Sequence, residues 1–429
     1  MIDQNIILND FEAAKMQLQR KGVTTEELEK ARDAFIQKRE IQQEIEKIRA
    51  ERNSASKKIG ELLAAGKKDE AEALKTEVSG YKEKLEKFET DYRDSSLVAN
   101  DLLLRLPNFP EEEAPEGLDE TSNIIIHTEG YNSEDYKDKT YLPHWDLATN
   151  MGIYDQERGS KITGSMFSVL KGDGARLLRS LVQFALTLNE HTYMEHVVPT
   201  FVNSDTFTAT GHLPKFSDDA YHLEKDGYWA IPTGEVPLTG MHRDEILDEN
   251  TLPRRYMAYT SCFRREAGSA GKETRGMQRL HEFHKVELVK ICKPEQVEEE
   301  FNAMLEDVQK PLQLLNLPYR IVDLCAGDLT FSSSRIYDIE VYSPGVDKWL
   351  EVSSVGKFSN FQARRGNIRY KHENKGKSEF VHFLNGSAMA TPRVWAAILE
   401  HYQLPDGSVQ VPEALRQYLG KDKLEPVLI

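Results

Sequence analysis

The sequence predicts an α+β protein, with an N-terminal antiparallel helical hairpin followed by a mostly antiparallel β-sheet flanked by helices. Three observations predict it. Apolar residues recur at four-three spacing through two long stretches separated by one glycine-containing turn. A proline- and acid-rich break follows. Beyond it, strand-like runs come in series with few helices between them, a pattern of antiparallel rather than doubly wound sheets.

The first heptad seam runs through Ile41, Ile45, Ile48, Ala55, Ile59 and Leu62, interrupted by Arg52. The second runs through Ala71, Leu74, Val78, Tyr81, Leu85, Phe88, Tyr92, Ala99, Leu102 and Leu106, with Ser95 as its polar member. Ala64-Ala65-Gly66-Lys67-Lys68 makes the turn, and each arm is roughly 55 Å long at ~1.5 Å per residue. Periodicity alone fits a spacer or oligomerisation element equally well. Charge separates the two helices. The first carries Lys38, Arg39, Lys47, Arg49, Arg52, Lys57 and Lys58, and the second Glu83, Glu86, Glu89, Asp91 and Asp94. A basic edge on a rigid rod can track a phosphate backbone, although a solvated face is the commoner reason for any one lysine.

The segment Leu106-Pro107-Asn108-Phe109-Pro110 with Glu111, Glu112, Glu113 and Pro115 ends the hairpin. The expected organisation is an arm over residues 1–108, a linker over 109–125 and a second domain over 126–429. A helix is expected over 174–191, and strands over 196–202, 228–232, 256–266, 279–292, 319–324, 337–343, 348–355 and 380–384. One helix, 294–315, interrupts the strands, and another, 392–402, closes the core.

The chain of 429 residues is 39% hydrophobic and 29% charged, the balance of a globular protein with one polar section. No run of about 18 apolar residues and no basic-then-apolar leader occurs, so neither a membrane span nor a secretory signal is expected. Cys262, Cys292 and Cys325 lack CxxC spacing, which points to a reduced, cytoplasmic setting without disulfides or a cysteine zinc site. The net charge of −16 argues against indiscriminate nucleic-acid binding but leaves room for a local basic stripe.

The most informative chemistry lies between Cys262 and Glu287. Cys262-Phe263-Arg264-Arg265-Glu266 and the segment from Arg279 to Glu287 read as two strands joined by a basic loop with Gly268, Gly271, Lys272, Arg275 and Gly276. Strand alternation puts His281, Phe283, Lys285 and Glu287 on one face and Leu280, Val286 and Leu288 on the other. An arginine, a carboxylate and an aromatic ring on one sheet surface can hold a phosphate, an amine and a flat base. Phe283 and Glu287, roughly 13 Å apart at ~3.3 Å per residue, match the span of an aminoacyl-adenylate. No GxxxxGK[ST] loop is present, and Lys171-Gly172-Asp173-Gly174 does not extend to GxGxxG, so arginines and sheet residues must hold any ATP. His281-Glu282-Phe283-His284 is not HExxH, and its histidines face opposite ways on a strand, which disfavours zinc.

Four further segments complete a pattern: Pro199 within His196–Val202, Thr233-Gly234-Glu235, Glu351-Val352-Ser353-Ser354, and Asn385-Gly386-Ser387-Ala388 continuing to Thr391-Pro392-Arg393. In this order behind a helical arm, they resemble bacterial-type seryl-tRNA synthetases, class II aminoacyl-tRNA synthetases, over essentially the whole chain. Motif 1 falls near 196–216, motif 2 at 260–289 and motif 3 at 383–402, within a class II catalytic domain.

The resemblance implies ATP-dependent activation of L-serine to seryl-adenylate and transfer to tRNA(Ser), and to tRNA(Sec) where one exists, by a cytoplasmic homodimer. It implies that Arg264 holds the α-phosphate and Arg393 the γ-phosphate. Both posts suit an always-charged, two-pronged guanidinium. Phe283 would stack on adenine and Glu266 meet its amino edge, with Arg265, Val352 and Ser353 completing the ATP site. Glu351 and Ser354 would ligate Mg²⁺, a hard cation preferring oxygen. Thr233, Gly234, Glu235, Glu287, Asn385 and Ser387 would receive serine, and Arg39, Lys47, Arg49, Lys57 and Lys58 would contact tRNA.

Blander readings stand beside these: Phe283 as core, and Glu351 paired with Arg364 or Arg365. The chain departs from the family pattern at Glu282, at Gly356-Lys357 and at the threonine missing from Cys325–Asp328. Competing functions are a paralogue making seryl-adenylate for a non-tRNA acceptor, and a catalytically inactive coiled-coil RNA-binding protein.

Overall fold

Thr24 starts the first long helix: its hydroxyl accepts from Glu27 N at 3.2 Å while Glu27 Oε2 accepts from Thr24 N at 2.9 Å. Helix α1 then runs Thr25–Ala64, and α2 runs Lys68–Leu104 after the turn at Gly66. In the computed structural model, residues 1–267, 275–372 and 376–426 are described, so Gly268, Gly271 and Lys272 of the expected loop lie outside the described residues. The chain divides into two compact units, Ile2–Pro107 and Asn108–Ile429 with Met1.

In the first unit the heptad seam is the packing seam. Ile45, Ile48 and Leu85 are buried, with Ile41, Tyr81, Phe88 and Tyr92 against them. Near its end the seam steps by four, so Ala99 and Leu103 are buried where Leu102 was expected. Two short helices, Gln4–Asn9 and Phe11–Gln19, precede α1, and Arg32 of α1 sits over the Phe11 ring at 4.2 Å.

The second unit is built on an eight-stranded sheet. Its strands are β1 (Ile124–Glu129), β2 (Met194–His196), β3 (Arg254–Phe263), β4 (Glu282–Cys292), β5 (Tyr319–Asp323), β6 (Arg335–Ser343), β7 (Lys348–Lys357) and β8 (His382–Ala390). The order is β1-β5-β6-β7-β8-β4-β3-β2, antiparallel throughout except for β2 against β3. Helices α3 (Asp173–Asn189), α4 (Val297–Leu314) and α5 (Thr391–His401) share one core with Val286 and Leu288 of β4. Val289 and Ile291 of the same strand belong to a second core with Phe358, Tyr370 and Phe383.

Several elements differ from expectation, each for a local reason. The strand expected over 196–202 is two pieces, β2 and Phe201–Asn203, because Pro199 has no N–H for a ladder. The strand expected over 380–384 is the end of Ser378–Phe380 and then β8, which continues through Gly386. β1, with its Ile124-Ile125-Ile126 run, went unrecognised. Three six-residue helices, Ser204–Ala209, Glu235–Gly240 and Phe361–Gly366, interrupt the strands and are too short to display a 3.6-residue period.

The linker stretch is laid along the core. Asn108 N donates to Phe331 O at 2.9 Å, Asn108 Nδ2 donates to Phe358 O at 3.0 Å, and Ala326 N donates to Pro115 O at 2.8 Å. An extended segment without a ladder of its own satisfies its polar groups on its neighbours, here through the two donors of Asn108 and the carbonyl of Pro115. Gly356 and Lys357 lie in β7 rather than a loop, and Lys357 Nζ reaches Glu298 at 2.6 Å and Glu111 at 3.3 Å.

Candidate active site

Neighbouring strands β3, β4, β8 and β7 bring distant segments to one cleft, whose lining includes Arg264, Glu266, Phe283, Glu351, Ser354 and Arg393. Val352, Ser353 and Ser387 line it too.

One end is cationic and aromatic. The Arg264 guanidinium lies 5.2 Å over the Phe283 ring, and its Nε donates to Pro232 O at 3.4 Å. Arg264 N donates to His281 O at 3.0 Å and His281 Nδ1 lies 2.9 Å from Arg264 O, which pins β3 to the start of β4. Arg393 opens α5. Its Nε donates to Gln278 O at 3.2 Å and its Nη1 to Glu351 O at 2.5 Å, with Glu351 Oε2 at 3.5 Å. Glu351 therefore pairs with Arg393, while Arg364 donates to Asn360 and Arg365 to Thr208 O. Glu266, at φ +51°, accepts from Arg279 Nη1 at 2.9 Å.

The other end is a buried carboxylate ringed by donors. Glu287 is wholly buried. Its Oε2 accepts from Thr233 Oγ1 at 2.5 Å and from Lys285 Nζ, and its Oε1 from Asn385 Nδ2 at 2.9 Å and Ser387 Oγ at 3.3 Å. Gly234 permits this approach, because a Cβ there would lie 3.1 Å from Glu287 Cβ and 3.3 Å from Thr260 Oγ1. Glu235 is buried and accepts from Gln362 Nε2 at 2.5 Å. Burial pushes its carboxyl up to about 7, against the Gln362 hydrogen bond and with help from the nearby Glu287 charge.

Every expected site residue of the core except Arg265 therefore falls at the cleft or in the Glu287–Glu235 cluster beside it. Arg265 does not line the cleft: it follows Arg264, its side chain is exposed, and its N–H donates to Asp219 O at 3.2 Å. Glu282 also lies off the lining, as alternation from Phe283 requires.

Three participants were not assigned a role from sequence. Lys285, 7% exposed, could have been found two residues before Glu287 on the same face. Arg279, which holds Glu266, opens the segment that leads into β4. Gln362 meets Glu235 across 127 residues of sequence, and nothing local announces it.

On the arm, Arg39, Lys47, Arg49, Lys57 and Lys58 are all exposed on α1. Arg49 is engaged across the hairpin with Glu89 at 2.8 Å, and Lys47 lies 3.9 Å from Glu44.

Residues 1–110 match the model of the seryl-tRNA synthetase N-terminal domain, and residues 217–402 that of the tRNA synthetase class II core domain (G, H, P, S and T). A serine–tRNA ligase of Methylacidiphilum infernorum is 45% identical over 428 residues, 99% of this chain and 100% of the relative. One from Bacillus cereus (strain G9842) is 49% identical over 354 residues, 82% of each chain. The crystal structure of seryl-tRNA synthetase from Pyrococcus horikoshii complexed with ATP superposes with a TM-score of 0.92 at 32% identity and covers 100% of both chains.

Proposed function

The chain belongs to the seryl-tRNA synthetase family, and from that premise we infer that it activates L-serine with ATP and transfers the seryl group to tRNA(Ser), and to tRNA(Sec) where one is present. The observation that carries the serine assignment is the Glu287 cluster: a buried carboxylate with four donors, beside a cleft of arginines. A carboxylate ringed by such donors suits a small hydroxylated amine.

In the first step a serine carboxylate oxygen attacks the α-phosphorus. A phosphorus–oxygen bond forms, the bond to the β-phosphate oxygen breaks, and pyrophosphate leaves. The nucleophile is already an anion, so catalysis is positioning and charge neutralisation. Arg264 stabilises the α-phosphoryl oxygens, Arg393 grips the γ-phosphate, Phe283 stacks on adenine and Glu266 receives its amino edge. Glu235 binds the serine ammonium, and Thr233, Glu287, Asn385 and Ser387 bind its hydroxyl. In the second step a terminal ribose hydroxyl of the tRNA attacks the seryl carbonyl and AMP departs.

The residues present fit a magnesium ion. Glu351 and Ser354 offer hard oxygen donors, and Asp338 stands opposite Ser354 in the ladder. Burial, then the Glu351 and Glu340 carboxylates, pushes Asp338 well above its usual range, a field that a cation relieves. When bound, the ion neutralises phosphate charge alongside the arginines.

The chain acts as a homodimer through motif 1. β2 is the edge strand of the sheet, and Met194 within it and Val197 and Phe201 after it are 66%, 98% and 48% exposed, an apolar edge suited to a second copy. The free, buried state of the three cysteines supports a reduced, cytoplasmic setting. No helix among the described residues is long and apolar enough to cross a membrane.

Exchange of labelled pyrophosphate into ATP tests the reading. It is expected with serine and far weaker with alanine or threonine, and equal exchange with either would defeat the substrate assignment. Charging of total tRNA, with identification of the loaded species, tests the acceptor; exchange without charging would favour a non-tRNA acceptor.

Glu235 adds a pH signature. With its carboxyl near 7, it is largely neutral at pH 6 and anionic at pH 8, and only the anion pairs with an ammonium. The KM for serine is therefore expected to fall about tenfold from pH 6 to pH 8. In Glu235→Gln the KM should be higher and its profile flat; an unchanged slope in that variant would assign the titration elsewhere.

A further inference from the structure

His144 opens the short helix His144–Asn150 and is wholly buried, as is Glu400 near the end of α5. The imidazole Nδ1 lies 2.7 Å from Glu400 Oε1, and its Nε2 accepts from Met277 N at 2.9 Å. One tautomer satisfies both contacts, with the proton on Nδ1 and the lone pair on Nε2. Glu400 is held in turn by His144 N at 3.0 Å, Gly345 N at 3.0 Å and the Ser343 hydroxyl. Burial pushes its carboxyl up, but the hydrogen bonds from His144 and Ser343 outweigh it and hold the group below its usual value, an anion that keeps the ring oriented.

What this pair holds is the limb of chain returning to β4. Gly276 lies against the ring at φ +66°, where a Cβ would stand 2.2 Å from His144 Nε2, so only glycine lets the backbone pass. Met277 donates its amide to His144, the next residue presents its carbonyl to Arg393 Nε at 3.2 Å, and Arg279 follows with Glu266 in its grasp at 2.9 Å. Helix α5 is thus tied to the same limb at both ends, through Arg393 in its first turn and through Glu400 and His144 in its last.

We propose that His144, oriented by Glu400, is a positioning residue for the nucleotide: by fixing Met277 N it sets Gln278 O and Arg279 where they aim Arg393 and Glu266 at ATP. This rests on the reading of the cleft as an ATP site. His144 touches no member of the Glu287 cluster, so serine binding does not depend on it.

The test uses the full chain with His144→Phe, which fills the space but cannot accept, and His144→Gln, which keeps an acceptor for the Met277 amide. In the exchange assay the phenylalanine variant should raise the KM for ATP about tenfold or more with the KM for serine changed less than about twofold, and glutamine should recover most of the loss. An unchanged KM for ATP, an equal rise in both constants, or equal behaviour of the two variants would overturn the proposal. If the phenylalanine variant does not fold, Glu400→Gln carries the test. It keeps the shape but not the anion, and the same ATP-selective defect is expected, an unchanged KM for ATP again overturning the idea. Calorimetric titration with ATP alone reads the effect without serine. Failure of serine-dependent exchange in the unaltered protein would sink the serine assignment and leave this measurement standing.

Discussion

Replacing Arg264 by alanine is expected to abolish serine-dependent pyrophosphate exchange while the protein stays folded. The side chain is exposed, and among the described residues it makes a 3.4 Å hydrogen bond to Pro232 O and lies over the face of Phe283. Losing these should change stability by about 0.5 kcal/mol or less. Its effect on rate is of another order, because a guanidinium aimed at phosphoryl oxygens acts where charge builds up during attack. Removing such a donor costs on the order of 10³ in turnover. Arg264→Lys should restore little, since an ammonium keeps the charge but not the two-pronged geometry. Exchange within about tenfold of the parent, with an unchanged melting temperature, would show that the α-phosphate is held elsewhere. Arg393→Ala should also abolish exchange, but it removes the bonds to Gln278 O and Glu351 O as well, so its loss mixes binding with repacking.

Deleting residues 30–100 is expected to separate the two steps of the reaction. Among the described residues, none that lines the cleft or surrounds Glu287 belongs to the unit Ile2–Pro107. Exchange should therefore stay within about threefold of the parent. Charging of tRNA should fall about 10²-fold or more, because the exposed cations of α1 are gone. Charging that survives the deletion unchanged would demote the arm to a spacer. In the intact protein, the engagement of Arg49 with Glu89 makes Arg39, Lys57 and Lys58 the better single-site probes of phosphate contact.

What the sequence disclosed followed from periodicity and local spacing. The hairpin was legible because α1 carries one seam from Ile41 to Leu62, and the cleft because Phe283 and Glu287 share one face of β4 while Arg264 follows directly on the adjacent β3. The same alternation, applied to Arg265, would have placed it away from Arg264. Illegible features were those decided by tertiary contact. Gln362 reaches Glu235 from a six-residue helix, β8 runs on through a glycine, and His144 meets Met277 across 133 residues. The clamp at both ends of α5 has no motif of its own, since it exists only once separate segments converge, whereas Lys285 meets Glu287 within one strand face.

The saturation of Glu287 bears on how this pocket chooses its amino acid. A carboxylate has about four lone-pair directions, and Thr233, Lys285, Asn385 and Ser387 already fill them. An incoming alcohol must swap places with a resident donor instead of answering an unmet need, so recognition is close to isoenergetic at the resting stage. Fidelity then has to emerge during turnover, with modest affinity for the correct monomer and a larger penalty on the speed of the wrong one.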